Sequence, residues 1–183
     1  MNTKNNKRRQ RSRECLESAF LELLQGKELN QITVSELCQA TGLNRSTFYA
    51  NYEDIYDLAD KIREKLEQEV NDLYQQDVAN KYNSQDYLRL FRHIRDNQLI
   101  YKTYFKLGYD RMYQIKLYDF PLAERMFQGK HIDYHITFFM AGFNAMIRKW
   151  LDGGCQESPE EMGEILKSEY QGRQDPAEIG GNP

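Results

Sequence analysis

Apolar positions along the chain recur at helical spacing almost throughout. Leu16, Ala19, Phe20, Leu23 and Leu24 follow an i, i+3, i+4 rhythm, which predicts one amphipathic helix over Arg9 to Gln25, stopped by Gly26. Ile55, Leu58, Ile62, Leu66, Val70 and Leu73 mark one face of a long helix from Asp54 to about Val78, whose flank of Lys61, Arg63, Glu64, Lys65, Glu67 and Glu69 reads as a solvated face. Shorter helices follow. One starts at Asn83-Ser84 and runs through Tyr87, Leu88, Phe91 and Ile94; another covers Leu99 to Leu107 and ends at Gly108; a third runs from Phe120-Pro121 to Phe127. Ile132 to Leu151 is apolar on all sides, so one face is expected to pack in its own domain and the other in a partner. Ser158-Pro159-Glu160-Glu161 combines an N-cap, a first-turn proline and a capping-box Glu, opening a helix with Met162, Ile165, Leu166 and Tyr170 on one stripe. With only four prolines in 183 residues, the expected fold is all-α.

Thr33 to Tyr52, TVSELCQATGLNRSTFYANY, departs from simple periodicity and is the most informative stretch. Thr33 and Glu36 have capping-box spacing, and Val34 and Leu37 face inward. Cys38 is small enough for another helix to cross closely. Gly42 supplies the backbone freedom of a tight turn, and Asn44 caps a second helix whose Phe48 points to the core. Two short helices about such a turn form a helix-turn-helix, whose second helix is of the kind that enters a DNA major groove. Arg45, Ser46 and Thr47 are the candidates for base edges, Tyr49 and Asn51 for phosphates, and Asn44, at the start of the same helix, is a further candidate DNA contact. Thr33 is a further phosphate candidate, through its hydroxyl and the free N–H groups of its helix.

The run ITVSELCQATGLNRSTFYANY resembles the N-terminal domain of TetR-family transcriptional regulators, in its turn, its aromatic pair Phe48-Tyr49 and its terminal Tyr52. The resemblance extends from about Arg8 to Leu58. It implies apolar anchors at Leu29 and Ile32 and a phosphate contact by the Tyr49 hydroxyl. Many members of that family carry a Lys at the start of the next helix, where this chain has Tyr52-Glu53-Asp54-Ile55; Asp54 can cap that helix, but Ile55 cannot bind phosphate. A second resemblance, through Phe139, Gly142, Trp150, Gly153 and Ser158-Pro-Glu-Glu, is to the C-terminal domain of a TetR subgroup common in Gram-positive bacteria.

Charge sharpens this division. Residues 1–52 carry eight Lys/Arg against five Asp/Glu, a balance of +3, whereas residues 53–183 carry 17 against 23, a balance of −6. A basic end before an acidic body suits a first domain that touches phosphates. Lys4, Lys7, Arg8, Arg9, Arg11 and Arg13 read as a flexible cationic arm, with Arg8 and Arg9 among the expected DNA contacts.

Other chemistry is sparse. Cys15, Cys38 and Cys155 lack CxxC spacing, and His131 and His135, at i, i+4, lack a third ligand, so no disulfide, metal or cofactor is expected. Nothing marks a nucleophile elbow or a phosphate-binding Gly loop, so an enzyme is not expected. No apolar run reaches membrane-span length, and a cytoplasmic location is expected. Residues 101–139 contain 11 Phe/Tyr. They fill a core of short helices, or some line a cavity for an aromatic or lipophilic effector, as the family resemblance implies; Tyr104, Tyr113 and Phe138 are the candidates. Phe139, Phe143, Ile147, Trp150, Met162 and Ile165 are the candidates for a four-helix homodimer interface.

The expected organisation is a helix-turn-helix domain with a basic arm over residues 1–53, a helical ligand-binding and dimerisation domain over 54–172, and a disordered tail over 173–183. The expected function is that of a homodimeric, ligand-responsive repressor on a pseudo-palindromic operator in double-stranded DNA. The alternative is the same fold controlled by a protein partner, or constitutive.

Overall fold

A computed structural model describes residues 3–78, 87–112 and 128–171. Within these residues all regular structure is helical: α1 (Thr3–Gly26), a 3₁₀ turn (Leu29–Gln31), α2 (Val34–Thr41), α3 (Arg45–Tyr49), α4 (Ile55–Val78), α5 (Leu88–Asp96), α6 (Gln98–Lys106), α7 (Tyr109–Met112), α8 (Ile132–Asp152) and α9 (Pro159–Gln171). The expected short helix over 120–127 and the tail beyond 172 lie outside the described residues.

Packing divides the chain into two units. The first comprises Met1–Glu69 with Leu99–Gln114, the second Val70–Gln98 with Ile115–Pro183, so the division falls inside α4. The core of the first unit gathers Leu16, Phe20 and Leu24 of α1, Ile32, Leu37 and Cys38, Phe48 and Tyr52, and Ile55, Leu58, Ala59 and Ile62 of α4. Leu29 and Ile32 both join this cluster, which anchors the connector between α1 and α2. From α6, Lys106 donates to the Leu24 carbonyl (2.7 Å) and the Lys27 carbonyl (2.9 Å), satisfying acceptors that the end of α1 leaves open.

Three local outcomes differ from the sequence reading. The basic segment expected to be a flexible arm is helical from Thr3 onward, because no Gly or Pro interrupts a run of Lys, Arg and Gln, all good helix formers. The Thr33–Glu36 box is only half formed: Thr33 Oγ1 accepts from the Glu36 N–H (3.2 Å), but the Glu36 carboxylate pairs with Lys27. Arg63, read as part of a solvated flank, is buried. Its guanidinium bonds Glu67 (2.8 Å) and lies over the Tyr109 ring (5.8 Å), because α6 and α7 cover that side of α4.

The second unit is held by rings and apolar side chains. Phe91 meets Trp150 edge-on (5.7 Å) and Phe143 (6.1 Å), and Tyr87 meets Phe143 (5.2 Å). The Trp150 indole N–H donates to the Glu157 carbonyl (3.0 Å), and Arg92 of α5 pairs with Glu160 of α9 (2.7 Å). The capping box of α9 is complete, with the Glu161 N–H donating to Ser158 Oγ and the Ser158 N–H to the Glu161 carboxylate.

Candidate nucleic-acid interface

The reading head is α2, a turn, and α3. At the turn Gly42 has φ +66°, a left-handed conformation that an L side chain adopts only with strain. Thr41 Oγ1 donates back to the Leu37 carbonyl (2.9 Å), closing the end of α2. Asn44 then caps α3. Its Oδ1 accepts from the Thr47 N–H (2.8 Å), the Ser46 hydroxyl (2.7 Å) and the Thr47 hydroxyl (2.7 Å). Asn44 is thereby committed to organising the helix start, and it holds the two hydroxyls nominated for base edges against the cap.

Phe48 is fully buried and anchors α3 from below, packing against Tyr49 (5.4 Å, edge-on) and Tyr52 (5.6 Å). On the outer side Arg45 is exposed and Tyr49 is 51 % exposed. The Arg45 guanidinium donates to the Tyr49 hydroxyl (3.3 Å) and sits over its ring (5.9 Å). Thr33 is exposed at the start of α2, and Arg8 is exposed on α1. The structure thus brings Arg45, Ser46 and Tyr49 onto one exposed helix, with Thr47 half-buried behind them.

Two nominated contacts are differently engaged. Arg9 Nε donates to Asn51 Oδ1 (3.0 Å) and Arg9 Nη2 to the Ala50 carbonyl (3.0 Å). The Asn51 side-chain amide donates in turn to the Thr47 carbonyl (2.7 Å). Sequence reasoning also passed over Lys61, whose Nζ donates to the Asn51 carbonyl (3.3 Å), pairs with Asp57 (2.8 Å) and lies over the Tyr52 ring (5.4 Å). The i, i+4 spacing of Asp57 and Lys61 was the available signal, but it does not point to a carbonyl ten residues upstream. Burial pushes the Asp57 carboxyl up, but Lys61 and the Glu53 N–H together hold it below its ordinary value. The Tyr52 hydroxyl donates to Glu17 (3.0 Å); burial and that neighbouring carboxylate push it up to about 12, so it stays protonated and neutral. Asp54 caps α4 through the Asp57 N–H (2.8 Å), while Ile55 is buried. Tyr56, 55 % exposed in the first turn of α4, offers a hydroxyl that sequence reasoning did not nominate.

Of the residues nominated for an effector cavity, two fall in different units and the third lies outside the described residues. Tyr104 is buried in the first unit, with burial and the Glu67 carboxylate raising its hydroxyl pKa. The space beside it, lined by Ile62, Arg63, Ile100, Thr103 and Tyr109, amounts to about 10 Å³, on the scale of one water molecule. Phe138 belongs to the second unit, where it is 65 % exposed, and Tyr113 lies outside the described residues.

The nominated dimer residues also divide. Phe143, Ile147, Trp150 and Met162 are buried inside the second unit, because α5 and its rings cover that side of α8. Phe139 is half-buried, stacked on Phe143 (5.6 Å, interplanar angle 15°), and Ile165 is 42 % exposed. The outward stripe of α8 is instead Tyr134, Phe138, Ala141 and Ala145. His131 begins α8 in a left-handed conformation (φ +53°), and among the described residues no group of three or more His, Cys, Asp or Glu could hold a metal.

A capped two-helix reading head at the basic end of the chain is the geometry of a helix-turn-helix. A family model described as a transcriptional regulator C-terminal region, of the TetR type, matches residues 81–169. The match supports a TetR-family transcriptional regulator. Two solved structures share its fold. One, a TetR transcriptional regulator from Streptococcus agalactiae 2603V, is similar with a TM-score of 0.61 and 20% identity, covering 88% of this chain and 94% of that one. The other, the dihydroxyacetone kinase operon activator DhaS, is similar with a TM-score of 0.53 and 20% identity, covering 88% of this chain and 95% of that one. No curated protein sequence matches the chain at a significant level.

Proposed function

We propose that this regulator acts as a homodimer on a pseudo-palindromic operator in double-stranded DNA, in the cytoplasm, and represses transcription by occupying it. The observation that carries the reading is the exposed Arg45–Tyr49 pair on a helix whose start is fixed by Asn44 and whose inner side is fixed by Phe48. Arg45 leaves Tyr49 to form a two-pronged contact with a guanine, while Tyr49 and Thr33 offer hydroxyls to phosphates. The stripe Tyr134, Phe138, Ala141 and Ala145, at i, i+4, i+7 and i+11, supports pairing of two chains through α8. No helix among the described residues is long and apolar enough to cross a membrane.

In this reading an aromatic or lipophilic effector weakens operator binding by preferring one separation of the two reading heads, and only by its differential affinity for the two states. A protein partner exerting the same preference is the alternative. One structural neighbour is named an operon activator, so activation is the alternative sign of regulation.

Replacing Arg45 by Ala tests the reading head. The variant should keep its stability, because the side chain is exposed, while losing about 1–3 kcal/mol of discrimination at a single operator position per half-site. Motifs selected from random duplexes by the variant and the parent would be compared. An unchanged motif would remove Arg45 from base recognition.

A further inference from the structure

The recognition helix α3 spans only five residues, too few to hold its own shape, and its last carbonyls need outside donors. The Ser46, Thr47 and Phe48 carbonyls each have one. The Ser46 carbonyl accepts from the Ala50 N–H (3.0 Å), and the Phe48 carbonyl from the N–H groups of Asn51 (2.9 Å) and Tyr52 (3.0 Å). The Thr47 carbonyl accepts from the Asn51 side chain (2.7 Å). The two acceptors beyond the helix are met by cations from separate elements: the Ala50 carbonyl by Arg9 of α1, the Asn51 carbonyl by Lys61 of α4. Positive charge at a helix C-terminus is also favoured by the helix dipole.

Arg9 does more than supply charge. Its fork has two parallel tasks at once, with Nη2 on the backbone of Ala50 and Nε on the side chain of Asn51, each at 3.0 Å. Asn51 relays that hold to the Thr47 carbonyl one turn back, beneath a residue on the reading face. The chain α1–Arg9–Asn51–Thr47 therefore fixes the tilt and end point of α3 from a helix 42 residues away in sequence. Lysine, a point donor on a flexible stem, cannot reproduce that two-pronged geometry.

We infer that Arg9 and Asn51 are positioning residues for the recognition helix, acting through Thr47 and Ala50, and that Arg9 makes no phosphate contact of its own. The inference rests on the proposed DNA-reading function. The two roles leave different signatures. A phosphate contact is a matter of charge, survives replacement by Lys, and when deleted lowers the slope of log affinity against log salt by about 1 at every sequence. A positioning fork is a matter of geometry: its loss degrades base discrimination and leaves the slope in place.

The test compares the full-length parent, Arg9→Lys and Arg9→Met on the selected operator and on random duplex, each across a salt series, together with the amide signals of Ala50 and Asn51 in the free proteins. The expected result is a roughly tenfold fall in the ratio of operator to random-duplex affinity in both variants. Their random-duplex salt slopes should match the parent, and the Asn51 side-chain and Ala50 amide signals should shift or lose exchange protection. An Arg9→Lys variant indistinguishable from the parent, with Arg9→Met losing about one unit of slope, would make Arg9 a phosphate contact and overturn the inference. An unchanged ratio in both variants would overturn it too. If the parent itself selects no operator, the DNA-reading function fails on that arm alone, and the free-protein signals still decide whether Arg9 holds the end of α3.

Discussion

Phe138→Glu should convert the protein to folded monomers and lower operator affinity by about two to four orders of magnitude. Phe138 is 65 % exposed and Tyr134 is 77 % exposed, yet both are large rings on the most apolar of the described helices. With Ala141 and Ala145 they form a stripe at alternating spacings of four and three, the pattern of the proposed α8 seam. In the proposed dimer, small residues at 141 and 145 would let two such helices approach closely. A carboxylate at 138 in each chain would be buried against apolar surface without a counterion, which opposes association strongly. Because residue 138 is largely solvent-facing in the single chain, the second unit itself should remain folded. The loss of DNA affinity follows from multivalency: a monomer engages one half-site and forfeits the effective concentration that joins the second. Sedimentation and operator binding measured on the same samples check this. If Phe138→Glu sediments as an intact dimer, the α8 stripe is not the interface. Charged substitutions at Phe143 or Trp150, in contrast, should unfold the second unit, since both are nearly fully buried within it.

The second large effect is on folding. Phe48→Ala should cost about 3–5 kcal/mol of stability in the first unit, as should Phe20→Ala. Both rings have no exposed surface and belong to one cluster shared by α1, α2, α3 and α4. Removing the Phe48 ring leaves a void under a five-residue helix and strips Tyr49 and Tyr52 of their ring contacts. Operator binding would disappear with it, but for a structural reason. Denaturant unfolding followed by helical signal separates the cases: Phe48→Ala shifts the midpoint, whereas Arg45→Ala loses discrimination at an unchanged midpoint. A Phe48→Ala protein as stable as the parent would mean that the cluster does not hold the reading head.

Much of this architecture was legible in the chain because it depends on local signals. The Leu16–Phe20–Leu24 spacing, the turn at Gly42, the Asn44 cap and the Asp54 cap each involve residues within four positions of one another, where sequence spacing translates directly into geometry. Contacts made at long separation were not legible. Arg9 reached Asn51, Lys106 reached the end of α1, and α6 and α7 covered Arg63, although Arg9 reads in sequence as a DNA contact and Arg63 as part of a solvated face. Glu36 turned to Lys27 in place of its own helix start, a competition that a capping-box pattern cannot resolve. The proposed dimer surface shows a different limit. A helix that is apolar all round carries no phase, so periodicity could not say that Phe143 and Trp150 point into the unit while Tyr134 and Phe138 point out.

The central claim, a dimeric sequence-specific regulator, is tested most directly by selecting from a pool of random duplexes with the full-length protein at two salt concentrations. The account predicts an inverted repeat whose half-sites lie about one helical turn apart, with affinity falling steeply as salt rises. Enrichment of no motif by correctly folded protein, or of a single unrepeated site with weak salt dependence, would contradict it.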